Sequence, residues 1–170
     1  MTGRVLVACV GNIFLGDDGF GVEVARRLAG AKLPDGVRVA DYGTGGMHLA
    51  YDLADGYETT ILVDAAPRGG EPGTITVAEV DPADHPGPAE AGGPLRGSMF
   101  FDGHGMPPDV VLGMLGRLGA RPGRILVVGC EPGRAGFGME LSEPVAAAVD
   151  EAVRIVLDLA AACAQDTVKG

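Results

Sequence analysis

Tryptophan is absent, and tyrosine and phenylalanine together number only eight in 170 residues, so there is no aromatic platform on which nucleobases would stack. Basic residues are also scarce. Thirteen Lys and Arg against 23 Asp and Glu give a formal charge of −10, which repels phosphate and argues against non-specific nucleic-acid binding. The three cysteines, Cys9, Cys130 and Cys163, form an odd set without C-x-x-C spacing, which excludes a disulfide framework and a zinc cluster. Each reads as a small apolar residue in or near a core. No apolar run reaches the roughly 18 residues that span a bilayer, and the N-terminus lacks a charged-then-apolar signal pattern. A cytoplasmic protein is expected. Nearly half the residues are apolar, and the length suits one domain, so residues 1–170 are expected to form a single folded unit.

What is present begins with Gly11-Asn12-Ile13-Phe14-Leu15-Gly16-Asp17-Asp18-Gly19-Phe20-Gly21. An apolar run, Val5 to Val10, precedes it, and Val22, Val24, Ala25 and Leu28 follow at helical spacing. The pattern is strand, glycine turn, acidic pair, helix. A first strand-to-helix turn often binds phosphate. Here G-x-G-x-x-G and G-K-[ST] are both missing, and two carboxylates stand where a pyrophosphate would sit. A cation or a helix cap suits them better. One aspartate is expected to be the N-cap of the helix, leaving the other for chemistry.

Further along, Val37 to Tyr42 reads as a second strand, ending in the turn Gly43-Thr44-Gly45-Gly46, and Met47, Leu49, Ala50 and Leu53 continue as a helical face. Thr59 to Ala66 is near-continuously β-branched or apolar, as in a central parallel strand buried on both faces. After Pro72-Gly73, the stretch Thr74 to Val80 alternates as a strand, and the short glycine-rich connection from Asp64 leaves no room for a crossover helix. This strand is therefore expected to run antiparallel to its predecessor. Residues 81–103 lose periodicity and fill with Pro, Gly and Ala, as in a functional loop. Pro107 and Pro108 open a helix carrying Val110, Val111, Met114, Leu115 and Leu118. Ile125 to Gly129 is the last strand, and Ser142-Glu143-Pro144 starts the final helix. The alternation implies a three-layer α/β/α sandwich with a mostly parallel sheet and one antiparallel strand.

Ligands of open α/β sheets bind beyond the carboxyl ends of the strands. Asp17 and Asp18 fall there after the first strand, Asp41 after the second, Asp64 after the third and Glu131 after the last, while His104 arrives just before a helix. The positive helix end favours a neutral imidazole, the form that ligates metals. Two carboxylates and an imidazole with open positions make a plausible oxygen and nitrogen site for a first-row transition metal. The plainer alternatives are Asp64 as a turn cap and His104 as a surface or capping histidine. His48 and His85 look incidental.

The first glycine–asparagine–acidic stretch resembles the signature of the hydrogenase maturation endopeptidases, nickel-dependent proteases that trim the C-terminus of a nickel–iron hydrogenase large subunit. Further similar pieces follow in order: Asp41-Tyr42-Gly43-Thr44-Gly45, Leu62-Val63-Asp64-Ala65, Gly70-Glu71-Pro72-Gly73-Thr74, Gly129-Cys130-Glu131-Pro132 and Glu140-Leu141-Ser142. The resemblance implies a five-stranded sheet of the phosphorylase/hydrolase-like type, covered on both sides by helices. It also implies that Asp18, Asp64 and His104 engage nickel supplied by the substrate precursor. Apart from the resemblance, an unligated carboxylate, Asp17, is a candidate general base. A bound metal polarises the scissile carbonyl and acidifies water. Such proteins have been described as aspartic-type, yet adjacent Asp17 and Asp18 would point apart and no D-[ST]-G is present. Serine or cysteine nucleophile chemistry lacks G-x-S-x-G or a base placed beside Cys9 or Cys130. One departure is Cys9, where the family commonly has glycine, which would alter the turn or add a thiolate-capable group.

The expected function is thus endopeptidase cleavage of a hydrogenase large-subunit precursor by a monomer. Two readings compete with it: a nickel-sensing maturation chaperone that binds without cutting, and a nucleotide-binding regulator, which Asp17 and Asp18 disfavour.

Overall fold

The computed structural model describes residues 4–81, 123–133 and 136–166. Within them lies a five-stranded sheet of β1 (Val5–Val10), β2 (Val37–Gly43), β3 (Thr59–Ala65), β4 (Ile75–Val80) and β5 (Arg124–Cys130), in the order β2-β1-β3-β5-β4. Three helices accompany it: α1 (Phe20–Ala29), α2 (Gly46–Ala54) and α3 (Glu143–Asp166). β1 pairs in parallel with β2 and β3, and β3 with β5, whereas β4 runs antiparallel to β5.

Strand alternation divides the core in two. Val5, Val7 and Cys9 of β1, with Ile61, Val63, Val128 and Cys130, face α1 and α3 through Phe20, Val24, Leu28, Val149 and Val156. Leu6, Ala8 and Val10, with Leu62 and Ile125, face α2 through Leu49 and Leu53. All six residues of β1 are buried, as a strand covered on both faces requires. α1 ends in Arg26 and Arg27, and Arg27 forms an ion pair with Asp150 of α3. That pair is solvent-exposed, so the apolar stripe of α1 holds the helix in place.

The direction expected for β4 is observed, but its neighbour differs. β5 lies between β3 and β4, so β4 bonds to the last strand and not to its predecessor. The expected helix after Pro107 and the irregular stretch after Asp81 lie outside the described residues.

Candidate functional site

The acidic pair belongs to neither strand nor α-helix. Gly16 to Gly19 form a 3-10 turn, and α1 begins at Phe20 with Gly19 at its N-cap and no side-chain cap bond. The expected aspartate N-cap is therefore absent, because both carboxylates are drawn elsewhere. Glycines make this possible. A Cβ at Gly11, where φ is +151°, would lie 2.1 Å from the Asp18 carbonyl oxygen. One at Gly21 would lie 2.2 Å from Val10 O and 2.6 Å from Val63 O. The first contact lets the loop fold back onto its own start. The second seats α1 directly on the carboxyl ends of β1 and β3.

Asn12 closes the loop. Its N–H donates to Asp18 Oδ2 at 3.0 Å and to the Asp18 carbonyl at 3.2 Å, and its Oδ1 accepts the Phe14 N–H at 2.9 Å. Asp18, partly exposed, is thus fixed just past the end of β1. Asp64 is partly buried at the carboxyl end of β3, one residue beyond Val63, which pairs with Cys9. It lies opposite Gly129 on β5, where a Cβ would come 2.7 Å from Ala66 Cβ. The two carboxylates predicted as ligands therefore belong to neighbouring strand ends. His104, the predicted third ligand, lies outside the described residues, as does His85. Among the described residues no three His, Cys, Asp or Glu side chains form a metal-binding group. His48 is exposed on α2.

Asp17 has a different environment from its neighbour. It is fully buried, and three donors converge on it: Gly133 N–H on Oδ2 at 2.7 Å, Ser142 N–H on Oδ1 at 2.6 Å and the Ser142 hydroxyl on Oδ2 at 2.7 Å. The adjacent aspartates do point apart. Asp17 pins the first loop to the segment between β5 and α3. Ser142 stands immediately before α3 as the sequence suggests, but its hydroxyl serves Asp17.

Glu131 is likewise structural. Its Oε2 accepts the Arg68 N–H at 2.7 Å and its Oε1 the Gly69 N–H at 3.1 Å, so it caps the loop between β3 and β4. The same loop docks Gly73 so tightly on the start of α3 that a Cβ there would lie 2.5 Å from the Pro144 carbonyl oxygen. Asp41 Oδ1 accepts the Gly43 N–H at 2.8 Å, making a turn whose Gly43 carbonyl in turn accepts the Gly11 N–H at 2.9 Å. The turn at the end of β2 therefore braces the acidic loop.

Cys9 departs from the expectation that it reshapes the turn or supplies a thiolate. It is a core residue of β1, and burial, aided by the Asp41 carboxylate, pushes its thiol up to about 12. Burial likewise pushes Cys130 up to about 11, with Asp17 and Glu131 contributing. Both remain neutral thiols near neutral pH, which removes thiolate chemistry at these positions.

Sequence reasoning missed the partners of Asp17 and Glu131, since their donors lie far away in the chain. It also missed Phe14, Phe137 and Met139, large apolar side chains exposed beside the acidic loop.

Comparison with known proteins agrees with this arrangement. A sequence model described as hydrogenase maturation protease matches residues 22–159. A putative hydrogenase maturation protease of Methanocaldococcus jannaschii is 36% identical over 159 residues, covering 90% of this chain and 94% of that protein. Among solved structures, a hydrogenase 2 maturation peptidase from a Thaumarchaeota archaeon superimposes with a TM-score of 0.67 at 35% identity, covering 92% of this chain and 97% of that one. The hydrogenase-maturating endopeptidase HybD of Escherichia coli gives 0.70 at 28% identity, with 92% and 91% coverage. The five-stranded, mostly parallel sheet with its antiparallel edge strand is the fold of these neighbours, and the chain belongs to the hydrogenase maturation protease family, a family of peptidases.

Proposed function

We propose that this protein is the endopeptidase that removes the C-terminal peptide of a nickel-loaded hydrogenase large-subunit precursor. The observation that carries the reading is the position of Asp18 and Asp64 at neighbouring carboxyl ends of β1 and β3, within a chain of this family. Two hard oxygen donors at the open end of a parallel sheet suit a borderline divalent cation that brings further ligands of its own. The nickel comes with the precursor, and His104 is the third side chain that engages it. Nickel held there supplies Lewis acidity toward the scissile carbonyl and the attacking water.

The chain's own contribution is positional. Asn12 and Gly11 hold Asp18 against the end of β1, β5 backs Asp64 through Gly129, and Asp17 locks the loop from below. The carboxylates are ligands in this reading, not a pepsin-like pair sharing a proton, and this accords with Asp17 and Asp18 facing different partners. Substitution Asp64→Asn is expected to abolish processing while thermal unfolding stays close to wild type. The assay is intact mass of the precursor, with and without nickel, after incubation with each protein. Nickel-dependent loss of a C-terminal peptide by wild type and none by the variant is the expected result. Near-normal cleavage by Asp64→Asn removes the ligand model, and binding without any mass change by wild type replaces the protease with a chaperone.

A further inference from the structure

Six large apolar side chains are exposed among the described residues, and four of them, Ile13, Phe14, Phe137 and Met139, lie on two loops that are joined to each other. The Gly138 N–H donates to the Phe14 carbonyl at 2.9 Å, and the Gly16 N–H donates to the Gly138 carbonyl at 2.7 Å, forming a parallel bridge between Leu15 and Gly138. Leu15 is buried. By β alternation, the residues flanking this bridge project on the opposite side. Phe14 is 59% exposed, Met139 69% and Phe137 94%. Backbone pairing therefore presents an apolar cluster on a fixed support. That support is the loop that carries Asp18.

Charge on the described residues of these two loops has one sign. Segments 11–19 and 136–143 contain Asp17, Asp18, Glu140 and Glu143 and no Lys, Arg or His, while Arg134 lies outside the described residues. With Asp17 buried, the outward charge is carried by Asp18, Glu140 and Glu143, and the whole chain carries −10. A contiguous exposed apolar patch with a polar rim marks a contact surface. Complementary charge at the rim guides the partner that meets it.

We infer that Phe14, Phe137 and Met139 form a docking platform for an apolar segment of the hydrogenase precursor bracketed by Lys or Arg, seated so that the adjoining chain reaches Asp18. This rests on the protease reading above and adds the surface that holds the substrate. The platform lies beside the site and does not enter the chemistry. It therefore governs affinity and leaves turnover of bound substrate unchanged.

The test is titration of nickel-loaded precursor against fluorescently labelled wild type, Phe137→Ser/Met139→Ser, Phe14→Ser and, as a control, Tyr51→Ser, which alters an exposed aromatic on α2. Because the substituted side chains are exposed, the variants should fold as wild type does. The platform variants are expected to raise Kd about tenfold or more and KM in step, with kcat unchanged, while Tyr51→Ser stays at wild type. Glu140→Lys is expected to weaken binding most at low salt. Kd values within about twofold of wild type for both platform variants would overturn the proposal, as would absence of precursor binding by wild type. Affinity loss that accompanies a dimer-to-monomer change in sedimentation would also overturn it, by assigning the patch to self-association. Platform-dependent binding without cleavage would leave the docking surface standing and remove the protease reading alone.

Discussion

Substituting Asp17 with Asn separates a structural carboxylate from a catalytic one. The side chain keeps its shape, and its remaining oxygen can still accept from Gly133 N–H and the Ser142 hydroxyl. The new amide NH2 then confronts the Ser142 N–H, a donor against a donor in a fully buried place. Leaving that N–H unsatisfied costs about 1–3 kcal/mol, and loss of charge assistance from the other two bonds costs about 1 kcal/mol each. The sum is about 3–5 kcal/mol. For a chain of this size it lowers Tm by about 10 °C. Ser142→Ala removes only the hydroxyl bond and is expected to cost about 1 kcal/mol in wild type and close to nothing beside Asp17→Ala, which gives a coupling energy of the same size. Urea or thermal unfolding followed by circular dichroism measures all five proteins (wild type, Asp17→Asn, Ser142→Ala, Asp17→Ala and the Asp17→Ala/Ser142→Ala double variant), with precursor cleavage assayed in parallel well below the variants' Tm. An Asp17→Asn protein that melts within about 2 °C of wild type yet has lost cleavage would refute the reasoning, because Asp17 would then be spent on chemistry and not on holding the loop.

Two glycines give opposite expectations. Gly21→Ala drives a Cβ into the Val10 and Val63 carbonyls and is expected to destabilise by about 2–4 kcal/mol and to lower activity by lifting α1 from the strand ends, whereas Gly30→Ala meets nothing nearer than 4.0 Å and is expected to stabilise by about 0.4–1 kcal/mol; urea midpoints compare them. Cys9 predicts an alkaline limit. Below pH 9.0 its thiol is protonated in folded and unfolded chains alike, but above it the unfolded chain loses the proton while the folded one keeps it up to about 12, so stability falls by about 1.4 kcal/mol per pH unit for this group. Cys9→Ala is expected to flatten that slope in urea unfolding at pH 9 to 11, and native Cys9 should resist iodoacetamide at pH 8.

Local chemistry made most of the frame legible. β3 announced itself through burial on both faces, α1 through its 3.6-residue stripe, and Asp18 and Asp64 through their positions at strand ends. What stayed hidden was long in sequence. Asp17 finds its donors 116 and 125 residues away, and Glu131 finds its donors 63 and 62 residues away. Neither separation leaves a periodic trace, so the partners of both carboxylates were hidden. The place of β5 was concealed for the same reason: strand direction follows from the length of the connection, but strand neighbours follow from packing. Phe14, Phe137 and Met139 carried no pattern at all, since isolated apolar residues in loops look alike whether they point in or out.

Because β5 occupies the slot between β3 and β4, the sheet cannot be completed in the order in which the chain is made. When β4 leaves the ribosome, both it and β3 present open edges to a space that stays empty until Arg124 to Cys130 are synthesised, and the Asp17 lock waits longer still, for Ser142. The acidic loop therefore acquires its final form only after most of the chain has emerged. Until then the nascent protein carries unpaired apolar strand edges of the kind that attract chaperones or aggregate.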